Sequence, residues 1–361
     1  MNDRQRFLNT MQFLPTDRFP WRPQGFWNHT IARWRREGMP ADISPQDYFG
    51  FEKWEYLPVN VDMIPKFDEK LVEDHGDYWI IVDEHGITKQ ALKEGESEMS
   101  MPEWLDFPVK TIDDFREMKK RYNPDDPTRY PADWDARVAT WKDRETVLGL
   151  DLYHGLYMTI RQWIGPVQLL YAFYENPALI QEMLEFYTDY LLQVLRRAVE
   201  DVDLDYVSLS EDMAYKAGPF ISPDLFRQYF VPCYRRLADF FQKNSITNFV
   251  IDSDGDPRML IPPLLESGVR GIHPCEVAAG MDVRELRREY GKDLILWCGI
   301  DKRVLAQDRA AIEKEVMAKI PPLIEEGGYI PQIDHSVPPD VPFENFCYYW
   351  DLLRQISSNQ G

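Results

Sequence analysis

The stretch IDSDGDPRMLIPPLLESGVRGIHPCE, residues 251–276, contains the pattern that decides the fold. It begins at the end of one apolar run, Thr247–Ile251, passes through a helical stretch and reaches a second apolar run, Val269–Ile272. Short runs rich in β-branched residues, separated by helical segments, are typical of buried parallel strands. Polar side chains follow each run directly. The stretch therefore predicts two β/α units whose strands end in functional groups.

The same alternation of apolar runs and helical stretches extends from Glu145 through the rest of the chain. Asn176-Pro177 and Ser222-Pro223 each combine an N-cap residue with a proline at the first helical position, which predicts a helix start. Six units in series favour an α/β fold of the (β/α)8 TIM-barrel type over a doubly wound sheet. The six strands are predicted at Thr146–Leu150, Tyr206–Leu209, Thr247–Ile251, Val269–Ile272, Leu294–Trp297 and Gly328–Ile333.

The region before residue 146 is less regular and is predicted to add helical and hairpin elements to the barrel. An amphipathic helix is expected around Asn28–Arg36, and a hairpin is expected to pair Tyr78–Ile81 with Thr88–Ala91. The two remaining barrel strands are expected at Pro58–Val61 and near Phe19–Gln24. Residues 1–361 are thus predicted to form one barrel domain, with 1–145 as an elaboration plus first strands and 146–361 as regular units.

Charge and composition restrict the partners. The chain has 41 basic and 61 acidic residues and a net charge of −20, which disfavours nucleic acid and anionic membranes. No apolar run is long enough to span a membrane and the N-terminus does not resemble a signal peptide, so a cytoplasmic location is expected. Four cysteines are too few for a disulfide scaffold. A small-molecule substrate is the expected partner, and a homodimer is possible.

Ionisable side chains follow the predicted strands at the end where β/α barrels carry their active sites. Asp252-Ser-Asp254-Gly-Asp256, His273-Pro-Cys275-Glu276 and Asp334-His335 come from three such strand ends, and together they are able to close around a divalent ion. The other groups after strands are Asp151, His154, Glu211, Asp212, Cys298 and Asp301.

Each of these groups also has a structural interpretation. A carboxylate of the 252–256 segment is equally suited to cap the helix predicted after Pro257, and Glu211 and Asp212 are suited either to acid–base catalysis or to helix capping. His273 and Cys275 are as well explained by packing at the barrel rim as by ligation.

Three long segments carry a resemblance to a known family. They are SEDMAYKAGPFISPDLFRQYFVPCYRR, residues 210–236; DSDGDPRMLIPPLLESGVRGIHPCEVAAGMDVRELRREYGKDLILWCGIDKRVL, residues 252–305; and GGYIPQIDHSVPPDVPFENFCYYWDLL, residues 327–353. These segments resemble the uroporphyrinogen decarboxylase superfamily, which also contains zinc-dependent corrinoid methyltransferases. The resemblance implies a (β/α)8 barrel with a substrate pocket at the C-terminal ends of its strands.

The resemblance is poorer to the decarboxylase branch of this superfamily. Decarboxylases carry an Arg-rich signature of the type RQAGR, whereas the corresponding region here, RFPWRPQGFW, lacks paired arginines. Asp62, in NVDMIP, is the best match to the pyrrole-binding aspartate. A highly carboxylated tetrapyrrole is also electrostatically unfavourable for a chain of charge −20.

The methyltransferase branch instead implies a metal site built from these residues. Its His-x-Cys-Gly zinc motif aligns with Asp252-Ser-Asp254-Gly255, and its late cysteine aligns with Asp334-His335. The resemblance thus implies a divalent metal, with zinc as the first candidate, bound by Asp252, Asp254, Glu276 and His335. It also implies that Glu211, Asp212 or His154 acts as an acid–base group.

The leading hypothesis is that the metal polarises a methyl-bearing oxygen and that the methyl group passes to a corrinoid carried by a partner protein. The alternatives are a metal-independent decarboxylase or lyase acting on a small aromatic or pyrrolic acid, and a non-catalytic barrel that binds a corrinoid or tetrapyrrole. Asp151, His273, Cys275 and Asp62 are further pocket candidates.

Overall fold

The computed structural model describes residues 1–23, 25–93 and 103–358. The α-helices are α1 (Asp3–Met11), α2 (Asn28–Arg36), α3 (Pro45–Phe49), α4 (Ile112–Lys119), α5 (Trp134–Trp141), α6 (Leu156–Ile164), α7 (Pro166–Glu175), α8 (Pro177–Val194), α9 (Arg196–Asp201), α10 (Pro223–Lys243), α11 (Ile261–Glu266), α12 (Val283–Tyr290), α13 (Arg309–Glu326) and α14 (Phe343–Ser358). The strands are β1 (Trp54–Tyr56), β2 (Lys70–Asp74), β3 (Tyr78–Val82), β4 (Thr88–Leu92), β5 (Glu103–Asp106), β6 (Val147–Leu152), β7 (Tyr206–Ser210), β8 (Ala214–Tyr215), β9 (Gly218–Pro219), β10 (Phe249–Asp252), β11 (Gly271–His273), β12 (Ile295–Trp297) and β13 (Tyr329–Ile330).

The described residues include a curled parallel sheet of seven strands in the order β1-β6-β7-β10-β11-β12-β13. Helices connect its strands and cover its outer face, as right-handed β/α connections require. The predicted α/β barrel fold is confirmed, and the six predicted strands appear as β6, β7, β10, β11, β12 and β13. The two predicted long helices also appear, the first of them divided into α8 and α9.

The predictions for the first two barrel strands were less accurate. Strand β1 lies at Trp54–Tyr56 and not at Pro58–Val61, because Pro58 has no amide to donate and the chain turns there, with Val59 N bonded to Leu57 O. The expected strand near Phe19–Gln24 does not form over the described residues 19–23, which contain Pro20 and Pro23. Its last residue, Gln24, lies outside the described residues.

The segment around Arg22 nevertheless occupies the gap between the two edges of the curled sheet. On one side, Glu52 N donates to Trp21 O at 2.9 Å. On the other side, Gln332 Nε2 donates to Arg22 O at 3.0 Å, and a parallel bridge joins Phe26 to Val337. This irregular segment brings an N-terminal arginine next to the last strand of the barrel.

The barrel interior is filled by apolar and aromatic side chains from most strands of the curled sheet. Tyr206 lies against Gly149, where a Cβ atom would stand 2.1 Å from the tyrosine ring, so only glycine leaves room for it. Helix α1 closes the N-terminal end of the barrel, and its Phe7 ring meets Trp54 edge-on at 5.1 Å. The interior cluster contains Phe7, Met11, Trp54, Val147, Tyr206, Val250, Ile295, Trp297, Cys298 and Ile330.

The N-terminal additions follow the predictions closely. Helix α2 spans the predicted residues, and the predicted hairpin forms as β3 and β4 within an antiparallel sheet of order β2-β3-β4-β5. Within the described ranges, no helix combines the length and apolar character needed to cross a membrane.

Candidate active site

A polar cavity of about 310 Å³ lies at the C-terminal ends of the parallel strands. This volume is at the lower end of the range for small-molecule sites. Five of the predicted site residues line the cavity: Asp212, Asp252, Asp254, His273 and His335. The other lining residues are Arg22, Gly25, Tyr153, Met158, Ser210, Pro274, Cys298, Gln332, Ile333 and Ser336.

The backbone is strained at several of these strand ends. Asp212, Cys275 and Cys298 each follow a barrel strand and have positive φ angles of 43°, 54° and 67°. Non-glycine residues rarely adopt this left-handed conformation, which costs about 1–3 kcal/mol and tends to cluster at functional sites. The strain is therefore concentrated where the cavity is.

Asp252, the last residue of β10, is held with its carboxyl group at the cavity. Ser210 Oγ donates to its Oδ2 at 2.8 Å, and His273 Nδ1 lies 3.6 Å from its Oδ1. Although 32% of this side chain is exposed to the cavity, protein surrounds it on most sides. Burial and the nearby charges of Asp254 and Asp212 raise the pKa of Asp252 to about 7, despite opposing effects of Ser210 and Arg22. Asp252 therefore holds a proton in a large fraction of molecules at neutral pH.

Asp254 forms a second acidic group at the same cavity. Its Oδ2 lies 3.8 Å from His335 Nε2, and the His335 ring stacks on Trp27 with 16° between the ring planes. Burial raises the pKa of Asp254 to about 6, while His335 lowers it. The two aspartates therefore share a small site without both being readily ionised.

Arg22 contributes the cation of the cavity, and sequence reasoning missed it. Its Nη1 donates to Gln332 Oε1 at 2.8 Å, and its guanidinium lies 5.1 Å from the Trp297 ring centroid. Its Nε is buried without a hydrogen-bond partner among the described residues. A guanidinium stays charged and offers a planar array of donors that suits carboxylates. The signal was present in RFPWRPQGFW, but its two arginines, Arg18 and Arg22, are not paired, so the segment was not predicted to bind an anion.

Glu211, a predicted catalytic residue, lies outside the group of residues that line the cavity. Its carboxylate accepts the backbone N–H groups of Leu156 at 2.7 Å and Tyr157 at 2.7 Å, and the Tyr234 hydroxyl also donates to it. These bonds cap the N-terminus of α6. Burial raises the pKa of Glu211 to about 7, although the hydrogen bonds that its carboxylate accepts lower it. The arrangement corresponds to the capping alternative for this residue, and it fixes the chain segment that carries Tyr153 and Met158.

The substitution Gly155→Ala tests this cap. A Cβ atom at residue 155 would lie 2.2 Å from Glu211 Oε1, so the carboxylate must leave the α6 amides. We expect the free energy of unfolding to fall by about 1–3 kcal/mol, as for other overpacked buried sites, measured by urea denaturation. Gly155 has an extended backbone with a φ of −76°, which alanine also adopts, so backbone strain does not contribute to this loss. A G155A variant as stable as wild type would contradict the cap.

His154 and Asp62 come together in a different place, beside the hairpin. His85 Nε2 lies 3.3 Å from Asp62 Oδ2, and the His85 and His154 rings meet edge-on at 5.6 Å. Burial raises the pKa of Asp62, but His85, the Met63 N–H and the charge of His154 together outweigh it, so the pKa falls to about 2. Burial lowers the pKa of His154 to about 4. These residues join the hairpin to the barrel rim, and neither predicted residue lines the cavity.

The two remaining candidates, Asp151 and Cys275, lie in different surroundings. Asp151 is the last residue but one of β6 and lies close enough to Arg22 for their charges to interact. Burial raises the pKa of Asp151, and the charge of Arg22 counters this rise. Cys275 is buried in an apolar cluster at 1% exposure, and its Sγ lies 3.8 Å from Ile272 O. Burial raises its pKa well above the ordinary thiol value. Cys275 is thus placed as a packing group.

The four predicted metal ligands do not converge as a coordination shell. Glu276 Oε2 accepts the Gly255 N–H at 3.0 Å, and its Oε1 lies 3.9 Å from Lys302 Nζ. Over residues 1–23, 25–93 and 103–358, no three His, Cys, Asp or Glu side chains are grouped so that they could hold a metal ion. Metal sites need several ligands at about 2.0–2.3 Å from one point. The arrangement of the described side chains does not fit the predicted zinc site.

The barrel and its cavity define a β/α-barrel protein whose cavity is lined by acidic groups and by Arg22. The chain belongs to the uroporphyrinogen decarboxylase (URO-D) family, whose model matches residues 158–356, more than half of the chain. This confirms the superfamily that the sequence resembles.

Of the two similar solved structures that follow, the first supports the same fold. A methyltransferase from Methanosarcina mazei is 14% identical, with a TM-score of 0.61 and coverage of 98% of both chains. A putative vitamin-B12 independent methionine synthase from Listeria monocytogenes is 11% identical, with a TM-score of 0.38 and coverage of 95% of this chain and 96% of that chain. No curated protein matches the chain significantly.

Proposed function

We propose that this protein is an enzyme that removes a methyl group from a small methoxylated carboxylate and passes it to an acceptor carried by another protein. The observation that carries the proposal is the presence, in one small cavity, of the Arg22 guanidinium and of Asp252, whose pKa of about 7 leaves it protonated in a large fraction of molecules at neutral pH. The fold shared with the Methanosarcina mazei methyltransferase supports this class of reaction.

Arg22 would bind the carboxylate of the substrate. Its buried Nε has no protein acceptor among the described residues, and an incoming carboxylate supplies one. The cavity volume of about 310 Å³ fits a compact molecule and is too small for a tetrapyrrole. The substrate class is therefore a small monoanion with an ether oxygen near the aspartates.

Asp252 would act as the general acid. As the bond between the methyl carbon and the ether oxygen breaks, the electron pair stays on the oxygen and the Asp252 proton moves to it, while the methyl group moves to a nucleophilic acceptor. Protonation makes the oxygen a better leaving group, and such catalysis contributes about 100- to 10,000-fold. Asp252 is then reprotonated through the open cavity.

The methyl acceptor would be a reduced corrinoid carried by a partner protein, which the superfamily resemblance suggests. The proton from Asp252 takes the place of metal polarisation in this scheme, since no metal site is formed by the side chains that the structure describes. The partner must reach the cavity from the solvent side, where Tyr153 is 73% exposed.

Decarboxylation is the second candidate, and the position of Arg22 favours it specifically. A guanidinium that binds a carboxylate beside an aspartic acid is also suited to release of carbon dioxide, with Asp252 protonating the carbon that is left. The two reactions differ in the bond that breaks, so product analysis separates them.

Chelation tests whether the reaction depends on a metal. We expect protein treated with EDTA, and then freed of it, to demethylate a methoxybenzoate in the presence of cob(I)alamin at the rate of untreated protein. Elemental analysis should find less than a stoichiometric amount of any transition metal. Activity that disappears on chelation and returns with Zn²⁺ would contradict the metal-independent mechanism.

A further inference from the structure

His273 lies behind the proposed general acid, and two contacts fix its ring. Its Nε2 is 3.0 Å from Ser208 Oγ, and the imidazole stacks on the Trp297 indole with centroids 5.0 Å apart and 23° between the planes. The residue is only 9% exposed. A ring held on one edge and one face has a single orientation, so the other nitrogen, Nδ1, points to a fixed place.

That fixed place is the carboxyl group of Asp252. Nδ1 lies 3.6 Å from Asp252 Oδ1, on the side opposite the oxygen that Ser210 holds. This distance is longer than a hydrogen bond, as is common in sites without substrate, where catalytic contacts shorten on binding. Burial and the charge of Arg22 lower the pKa of His273 to about 3, so the ring is neutral and able to donate or accept at Nδ1.

Trp297 connects His273 with Arg22, the residue proposed to bind the substrate carboxylate. The indole that carries the His273 ring also lies 5.1 Å from the Arg22 guanidinium. A single rigid side chain from β12 therefore sets both the place where the substrate carboxylate binds and the ring that contacts the acid.

We infer that His273 is a positioning residue: held by Ser208 and Trp297, it orients the Asp252 carboxyl group toward a substrate bound at Arg22. The inference rests on the proposed function, since it gives His273 a role in the same proton transfer. It also explains why a histidine, and not an aliphatic residue, occupies this buried strand end.

Two amide variants of His273 test which of its two ring nitrogens is needed. Asn places its amide near the position of Nδ1, and Gln places it near Nε2. We expect H273N to keep kcat within about 5-fold of wild type, and H273Q and H273L to lose about 10- to 100-fold in kcat with little change in KM. H75N, at an exposed hairpin residue, is the control. Equal kcat in all variants, or equal losses accompanied by a raised KM, would overturn the inference.

A measurement without turnover keeps this test independent of the proposed reaction. Nitrogen-15 NMR of the histidine side chains reports the tautomer and the contacts of each ring nitrogen. We expect His273 to show one neutral tautomer, and D252N to shift its Nδ1 resonance while D256N does not. If these shifts appear but no substrate reacts, the proposed function fails and the positioning contact stands. A mixture of tautomers, or an unchanged Nδ1 resonance in D252N, would refute the contact.

Discussion

The substitution Arg22→Gln is expected to raise the KM for a methoxylated carboxylate about 100-fold, or about 3 kcal/mol. The variant keeps hydrogen-bonding groups but removes the charge, and it leaves a bound carboxylate without its cation. The loss should appear mainly in KM, because Arg22 holds the part of the substrate that does not react. Steady-state kinetics and calorimetric titration with the same carboxylate measure the effect.

Two controls distinguish loss of the anion site from a general disturbance of the barrel. R22K keeps the charge but loses the planar fork of donors, so its KM should fall between wild type and R22Q. The neutral amide of the same substrate should bind wild type and R22Q almost equally. An R22Q variant with unchanged affinity for the carboxylate would remove Arg22 from the site.

The substitution Asp252→Asn is expected to lower kcat by about 100- to 10,000-fold while substrate affinity changes little. Asn keeps the size of the side chain and its contact with Ser210 but has no acidic proton to give. The matched control is D256N in the same loop, because Asp256 is paired with Arg258 at 2.6 Å and does not line the cavity. Near-normal turnover in D252N would show that another group supplies the proton.

The pH dependence of wild type gives a second test of the same acid. The pKa of Asp252 is raised to about 7, and the protonated form is the active one. Turnover should therefore be sustained below pH 7 and fall as the pH rises through 7, the reverse of the behaviour expected for a carboxylate base. A rate that increases through this range would assign Asp252 to proton abstraction. The descending limb should be absent in the residual activity of D252N.

The fold was predictable because a parallel barrel repeats one simple unit. Each strand from β6 onward is a short apolar run between helices, so local pattern alone located it. The first strands were harder, since β1 is only three residues long and the segment near Arg22 contains prolines that prevent regular pairing. Their positions are fixed by contacts with strands far along the chain, such as the bond from Arg22 to Gln332.

The site was predictable in composition and less so in geometry. The rule that functional groups follow barrel strands correctly brought Asp212, Asp252, Asp254, His273 and His335 to one cavity. The same rule could not decide whether the Glu211 side chain faces the cavity or the N-terminus of α6. A residue that follows a barrel strand is able to point in either direction. Nor does sequence spacing give the distances between loops of different strands, which decide whether Glu276 joins His335 around a metal. Arg22 escaped notice because its role depends on closure of the barrel.

The most direct test of the proposed function uses one substrate with two labels, a methoxybenzoate carrying carbon-13 in both its methyl and its carboxyl group. It is incubated with the chelator-treated protein and cob(I)alamin, and the fate of each label is followed by NMR. The proposed function predicts that the methyl label moves to the corrinoid, that the carboxyl label stays on the hydroxybenzoate product, and that R22Q and D252N are both impaired. Release of the carboxyl label as carbon dioxide with the methyl group retained would contradict it and establish the decarboxylase alternative.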